Sequence, residues 1–239
     1  MKHPIYAACT DTGRHRTHNE DHVGVDAGMG IAVLADGMGG HNAGEVASHL
    51  AVDMTLAILR QTGSVAARER LETALQAAHA SIQEKAATSS HLQGMGTTIV
   101  ATLLDRKTLT YAHVGDSRLY RWCKGHLDPL TRDHSLLQEF IDQGHYTPDE
   151  AREKVARNIL TRALGLDGVL RVDVATTDVH GKERYLLCSD GLYEMLDAAD
   201  ISDWLGRGLN AEATCKALVE MANARGGRDN ISVILIDIP

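Results

Sequence analysis

The chain has 239 residues, enough for one large domain with a substantial core or for two small ones. Its composition, 44% hydrophobic and 23% charged, is that of an ordinary soluble globular protein, and a formal net charge of -8 argues against a nucleic-acid scaffold, which needs a basic face to neutralise phosphates. With only 4 Pro and no run of Pro, Ser or like charges to mark a linker, one domain over residues 1–239 is expected.

The first residues, Met1-Lys2-His3-Pro4-Ile5, carry no apolar signal core, and no apolar stretch approaches the roughly 20 residues of a membrane helix. Short runs rich in branched residues predict strands over 5–9 and 31–35. Two helical patterns follow, over 43–60 (Val46, Leu50, Met54, Ala57 and Ile58 on one stripe) and 66–87. Strands are predicted again over 97–104, 109–114 and 119–122. Over 133–158 the chain turns polar, with one short amphipathic helix, a stop at Gly144 and a Thr147-Pro148-Asp149-Glu150 start for another. This segment is either a surface excursion or a mobile flap beside an active site. A strand over 185–188, a helix over 211–224 with Asn210 as N-cap and Gly226 as stop, and a strand over 231–236 complete the pattern. Hairpin-like strand pairs with clustered helices predict an α+β fold of antiparallel sheets covered by helices, not a βαβ repeat. The four cysteines, Cys9, Cys123, Cys188 and Cys215, are scattered without a CxxC pair, as expected of a reduced cytoplasmic protein.

Four aspartates share a context. Asp36 and Asp190 each end an apolar run and precede Gly, Asp116 follows Ala112-His113-Val114-Gly115, and Asp229 directly precedes the last strand. An Asp-Gly pair is commonly a hairpin turn, and Asp116 also lies naturally in one. Yet carboxylates at the mouths of buried strands are costly unless something positive meets them. The Gly-rich stretch 36–45 exceeds the needs of one turn and suits a backbone that brings its carbonyl close to a ligand. Clustered aspartates suit hard cations such as Mg²⁺ and Mn²⁺, whereas the 13 scattered histidines include no HExxH or Cys/His quartet for zinc. Bound cations would also reconcile a net charge of -8 with a phosphate substrate. A polar stretch, Asp11 to Asp21, is either a plain loop or an arginine fork for phosphate beside acidic groups for hydrated metal ions.

Taken together, Asp11-x-Gly13-x-x-Arg16-x-x-Asn19-Glu20-Asp21, Ala35-Asp36-Gly37-Met38-Gly39-Gly40, Gly96-Thr97-Thr98, Gly115-Asp116-Ser117-Arg118, Ser189-Asp190-Gly191 and Arg228-Asp229-Asn230-Ile231-Ser232 resemble the type 2C (PPM) serine/threonine protein phosphatases, in their bacterial form. The motifs stand in the family's order and span residues 11–232. The resemblance implies a four-layer α-β-β-α sandwich with two central antiparallel sheets. It implies two Mn²⁺ or Mg²⁺ ions bridged by Asp36, with the Gly37 carbonyl on one and Asp190 and Asp229 on the other. Glu20 and Asp21 would act through metal-bound water, Asp116 with Asp190 would hold a third ion, and Arg16 would grip the substrate phosphate. A metal-bridging hydroxide would attack phosphorus directly, and His41, after the glycine loop, is the candidate general acid. The implied substrates are phosphoserine and phosphothreonine proteins, targets of a serine/threonine kinase. No nucleic acid and no membrane insertion are expected, and the chain is expected to be a monomer. One departure is visible: bacterial relatives often carry His-Pro shortly before Arg-Asn in the flap, where this chain has Lys154-Val155-Ala156-Arg157-Asn158.

Two alternatives stay open at this level: a phosphatase for small phosphoesters or phosphohistidine, and a catalytically silent phosphoprotein-binding module. A cysteine-dependent phosphatase is excluded, because its Cys-x5-Arg loop is absent: the residues six after the four cysteines are His15, Pro129, Glu194 and Met221.

Overall fold

The computed structural model describes residues 3–39, 43–61, 65–156 and 158–239. The chain opens with β1 (Ile5–Asp11), β2 (Asp21–Asp26), β3 (Ile31–Met38), α1 (Ala43–Leu59) and α2 (Ala67–Ala86). A 3-10 turn leads to β4 (Gly96–Thr97), β5 (Ile99–Leu104), β6 (Thr108–Val114), β7 (Arg118–Cys123) and β8 (His126–Pro129). Then come α3 (Leu136–Asp142), α4 (Pro148–Lys154), β9 (Asp173–Asp178), β10 (Glu183–Cys188), α5 (Asp190–Tyr193), α6 (Ala198–Gly206), α7 (Ala211–Ala224) and β11 (Ile231–Ile238).

Among the described residues the strands form two antiparallel sheets. One runs β1-β11-β10-β7-β8; the other runs β2-β3-β5-β6-β9, with β4 also paired to β3. The continuous apolar runs of the sequence follow from burial of both sheet faces. On β3, Ala32 and Leu34 face the layer between the sheets, where they meet Tyr185, Leu187, Ile234 and Ile236. The alternate residues Ile31, Val33 and Ala35 face α1 and α2, packing with Val52, Leu56, Leu71 and Leu75. The other sheet has the same two-sided burial: Leu186, Cys188, Val233 and Leu235 pack against Leu192, Ile201, Leu205 and Leu218 of α5, α6 and α7. The result is the expected four-layer sandwich.

The structure differs from the sequence expectations at several points. The strand expected over 97–104 breaks at Thr98, whose hydroxyl is recruited by its neighbours. Neither Asp-Gly pair is a hairpin turn: Asp36 and Gly37 lie inside β3, and Asp190 and Gly191 begin α5. Nor is Asp116 in a hairpin, because β6 and β7 belong to different sheets and Gly115-Asp116-Ser117 carries the chain across from one to the other. The 133–158 segment holds the two short helices expected. Ser135 caps α3, and Thr147 with Glu150 forms a capping box on α4. Its two legs are paired at the root, with Leu136 N donating to Ile159 O at 2.8 Å and Thr161 N to His134 O at 2.9 Å. No described helix is long and apolar enough to cross a membrane.

Candidate active site

The site forms where both sheets end in acid. Asp21 and Asp36 are register partners on β2 and β3. The Asp36 amide donates to Thr98 Oγ1 at 3.1 Å, and the Thr98 hydroxyl lies 2.6 Å from Ser117 Oγ, next to Asp116. From the second sheet come Asp190, at the start of α5 after β10, and Asp229, just before β11. Gly37 explains part of the glycine richness: a Cβ there would lie 2.1 Å from Gly44 O and 2.7 Å from Glu20 O. Only glycine lets β3 and α1 approach so closely.

The 12–20 loop is tied down mostly by one side chain. Asn230 Oδ1 accepts from Glu20 N at 2.8 Å, and its amide nitrogen donates to Thr12 O and His18 O, both at 2.9 Å. Gly13 seals the same contact with φ +80°, since a Cβ would fall 2.2 Å from Asp229 O. Arg16 thereby reaches Asp229, donating from Nη2 to Oδ2 at 2.7 Å. With side chains 51% and 31% exposed, this ion pair contributes at most about 1 kcal/mol and is readily exchanged for other partners.

Arg16, Glu20, Asp21, Asp36, Gly37, Asp116, Asp190 and Asp229 are thus drawn from five separate stretches of sequence into one acidic cluster. His41 lies outside the described residues, as does Arg157. The electrostatics are those of anions without a counter-charge. Desolvation pushes Asp36 well above the usual carboxylate range, and Asp21, Asp190, Asp116 and Asp229 push it further. Asp190 is raised in the same way, by burial first and then by Asp116, Asp229 and Asp21. Burial takes both Asp21 and Asp116 to about 6. Asp21 Oδ1 and Asp190 Oδ1 are buried without any hydrogen-bond partner. Native proteins seldom leave such oxygens unmet. An oxygen-only set of carboxylates with unsatisfied inward atoms is what a hard divalent cation fits.

A second donor cluster behaves differently. Ligand atoms of His113, His134 and Asp173 lie within 4.8 Å of one another. Yet the two imidazoles are stacked, centroids 4.5 Å apart and 16° from parallel, so their in-plane lone pairs do not converge. His134 Nδ1 accepts from Gly115 N at 3.1 Å, which leaves the proton on Nε2, directed at Asp173 Oδ2 3.2 Å away. Arg162 already pairs with Asp173 at 3.0 Å. The cluster is an anchor at the root of the 133–158 segment. Size does not single out the site either. The open groove between β8 and α6, about 680 Å³ and lined by Trp122, Leu127 and Arg207, contains none of the clustered carboxylates.

Sequence reasoning passed over several residues that shape the site. Arg118 grips Asp133 with two hydrogen bonds, 2.9 and 2.6 Å, and stacks on the Tyr193 ring at 3.6 Å. Tyr193 OH donates to Asp116 O at 3.1 Å. These residues border a cavity of about 150 Å³ that also touches Asp116, Leu137 and Glu194. Arg118 and Asn230 stood inside recognised motifs, but their partners are 15 to 218 residues away. Tyr193 gave no signal. Lys154, in the stretch that departs from the bacterial pattern, pairs with Glu150 at 3.6 Å and lies over the Tyr146 ring, so it serves the segment internally.

Residues 11–224 match the profile of the family described as Protein phosphatase 2C. The serine/threonine phosphatase Stp of Listeria welshimeri is 37% identical over 235 residues, covering 95% of this chain and 93% of that protein. The crystal structure of the Mycobacterium tuberculosis serine/threonine phosphatase PstP superposes with a TM-score of 0.92 at 34% identity, covering 98% of each chain. The PstP catalytic domain in complex with two manganese ions matches with a TM-score of 0.89 at 34% identity, again over 98% of each chain. Full-length PstP is longer, and the match covers 45% of it. Fold, acidic cluster and likenesses agree: the chain belongs to the protein phosphatase 2C family, among its bacterial serine/threonine phosphatases.

Proposed function

We propose that the chain hydrolyses phosphoserine and phosphothreonine in proteins by direct attack of water, with the acidic cluster holding two Mn²⁺ or Mg²⁺ ions and a third more weakly. The observation that carries this reading is the pair of buried carboxylate oxygens without partners, Asp21 Oδ1 and Asp190 Oδ1, among aspartates whose pKa values are raised together.

Asp36, the Gly37 carbonyl, Asp190 and Asp229 would hold the central ions, Glu20 and Asp21 would orient their water shells, and Asp116 with Asp190 would hold the outer one. When bound, the ions supply an activated water near neutral pH and charge stabilisation for the phosphoryl oxygens. Arg16, held only by an exposed ion pair to Asp229, would be available to grip the substrate phosphate once Asp229 had another counter-charge. For protonation of the departing seryl or threonyl oxygen we propose His41, which directly follows the glycine-rich stretch. The substrates are targets of a serine/threonine kinase, and the protein acts as a monomer. Its four free thiols fit a reducing compartment, and we propose the cytoplasm.

The test is hydrolysis of a phosphothreonine peptide with added Mn²⁺, with added Mg²⁺ and after exhaustive chelation. Turnover should require either metal and vanish with EDTA. Full activity in chelated protein would exclude the metal-centred reading.

A further inference from the structure

The acidic cluster rests on a floor of hydroxyl groups for which neither the fold nor the proposed chemistry accounts. Ser189 is fully buried, and its Oγ accepts from Ser232 N at 3.0 Å. Its own proton is therefore free to go to Asp21 Oδ2, 2.8 Å away. On the other side a chain of hydrogen bonds starts at the Asp21 amide. The Asp21 amide donates to Asn19 Oδ1 at 3.1 Å, and Asn19 Nδ2 donates to Thr10 Oγ1 at 2.7 Å. Thr10 Oγ1 lies 2.7 Å from Ser232 Oγ, its register partner across β1 and β11. Thr10 Oγ1 accepts from Asn19 Nδ2 and so has its own proton free for Ser232 Oγ. Asp21 Oδ1 alone is left without a partner.

We propose that Thr10, Asn19, Ser189 and Ser232 are positioning residues for Asp21: Ser189, itself held by the Ser232 amide, fixes the carboxylate with Oδ1 available, and Asn19, held by Thr10, fixes the Asp21 backbone, before any cation arrives. The inference rests on the metal-centre reading above. Preorganising a carboxylate that orients the ions' water shell removes an ordering step from metal binding, so these groups act on metal affinity through Asp21 and touch no reacting atom.

Thr10 is the residue on which to test this, because it is exposed and outside the core clusters. Thr10→Val keeps the shape and removes the hydroxyl; Thr10→Ser keeps the hydroxyl and removes the methyl. Mn²⁺ titration calorimetry on the whole chain, without substrate, compares both with the unsubstituted protein and with Ser189→Ala. Ser189→Ala should weaken Mn²⁺ binding roughly tenfold, the lower end of what loss of an outer-shell partner costs. Thr10→Val should weaken it in the same direction, and Thr10→Ser should restore it. Wild-type affinity in Thr10→Val would overturn the network, and so would equal loss in Thr10→Val and Thr10→Ser, which would assign the effect to packing. Should Ser189→Ala fail to fold, the Thr10 pair decides alone. Failure of the unsubstituted protein to bind Mn²⁺ would instead overturn the metal-centre reading beneath it.

Discussion

Asp21 and Asp36 lie side by side as partners on adjacent antiparallel strands, two carboxylates facing each other at the sheet end. Like charges directly opposite destabilise a strand pair, and here both are desolvated as well. Such a pair is tolerable in a native protein when a counter-charge arrives from outside the chain.

The metal-free protein should accordingly lose stability as pH rises. A carboxyl whose folded pKa is raised holds more protons folded than unfolded between its unfolded value, about 3.9, and its folded one. For Asp21 and Asp116 the folded value is about 6, and Asp36 and Asp190 are raised as well. His134, lowered to about 4 by burial first, opposes this below its normal pKa, as do His22, His79 and His113, but the raised carboxyls, Glu20 among them, sit in one cluster and reinforce one another by mutual repulsion. Metal-free protein should therefore melt higher at about pH 5.5 than at about pH 7.5, and Mn²⁺ at the higher pH should reverse the order. Scanning calorimetry at the two pH values checks it; a metal-free melting temperature that rises with pH would contradict the account.

Asp190→Asn and Asp229→Asn should each reduce kcat by at least about 100-fold, roughly 2.7 kcal/mol of barrier, with the fold retained. Asp190→Asn should also raise the melting temperature of the metal-free protein, since it removes one buried carboxylate from the cluster. Near-normal turnover at saturating Mn²⁺ would remove the residue concerned from the metal centre.

Arg16→Ala should raise KM for phosphorylated peptides more than it lowers kcat, because a phosphate grip made equally in ground and transition states acts on binding. Steady-state kinetics at saturating Mn²⁺ separates the two. An unchanged KM would leave Arg16 as no more than the exposed partner of Asp229.

Asp116→Ala should stay folded and bind two Mn²⁺ by calorimetry while losing at least about tenfold in kcat, roughly 1.4 kcal/mol. Metal stoichiometry and kcat measured on one preparation decide the matter. Loss of all bound metal would place Asp116 among the central ligands, and unaltered turnover would make it a purely structural crossing residue.

Most of the frame was legible because strands buried on both faces leave unbroken apolar runs, as at 31–35 and 231–236. The two edge strands of the β2–β9 sheet leave no such mark. β2 reads Asp-His-Val-Gly-Val-Asp and β9 Asp-Val-Ala-Thr-Thr-Asp, and both escaped notice. Gly24 looks like a strand breaker, yet it sits mid-strand because a Cβ would collide with Leu56 and Val52 of α1 at 2.6 Å. The helix α6 did carry a readable start, the Asp197–Asp200 capping box, that went unused. In the site, the strand-end aspartates stood out because acid after an apolar run is locally anomalous. Asn230, Tyr193 and the Arg118–Asp133 clasp were invisible for the opposite reason: their meaning lies wholly in partners distant along the chain.

Asp21 and Asp36 belong to one sheet, Asp190 and Asp229 to the ends of the other, and Asp116 to the strand-to-strand bridge between them. The jaws of the cluster are therefore two separate slabs, and their gap is set by the side chains sandwiched between them, Leu34, Val100, Tyr185, Leu187 and Ile234. That apolar layer works as a spacer. A methylene added or removed there shifts one slab against the other, so the interior of the sandwich gauges the distance between carboxylates it never touches.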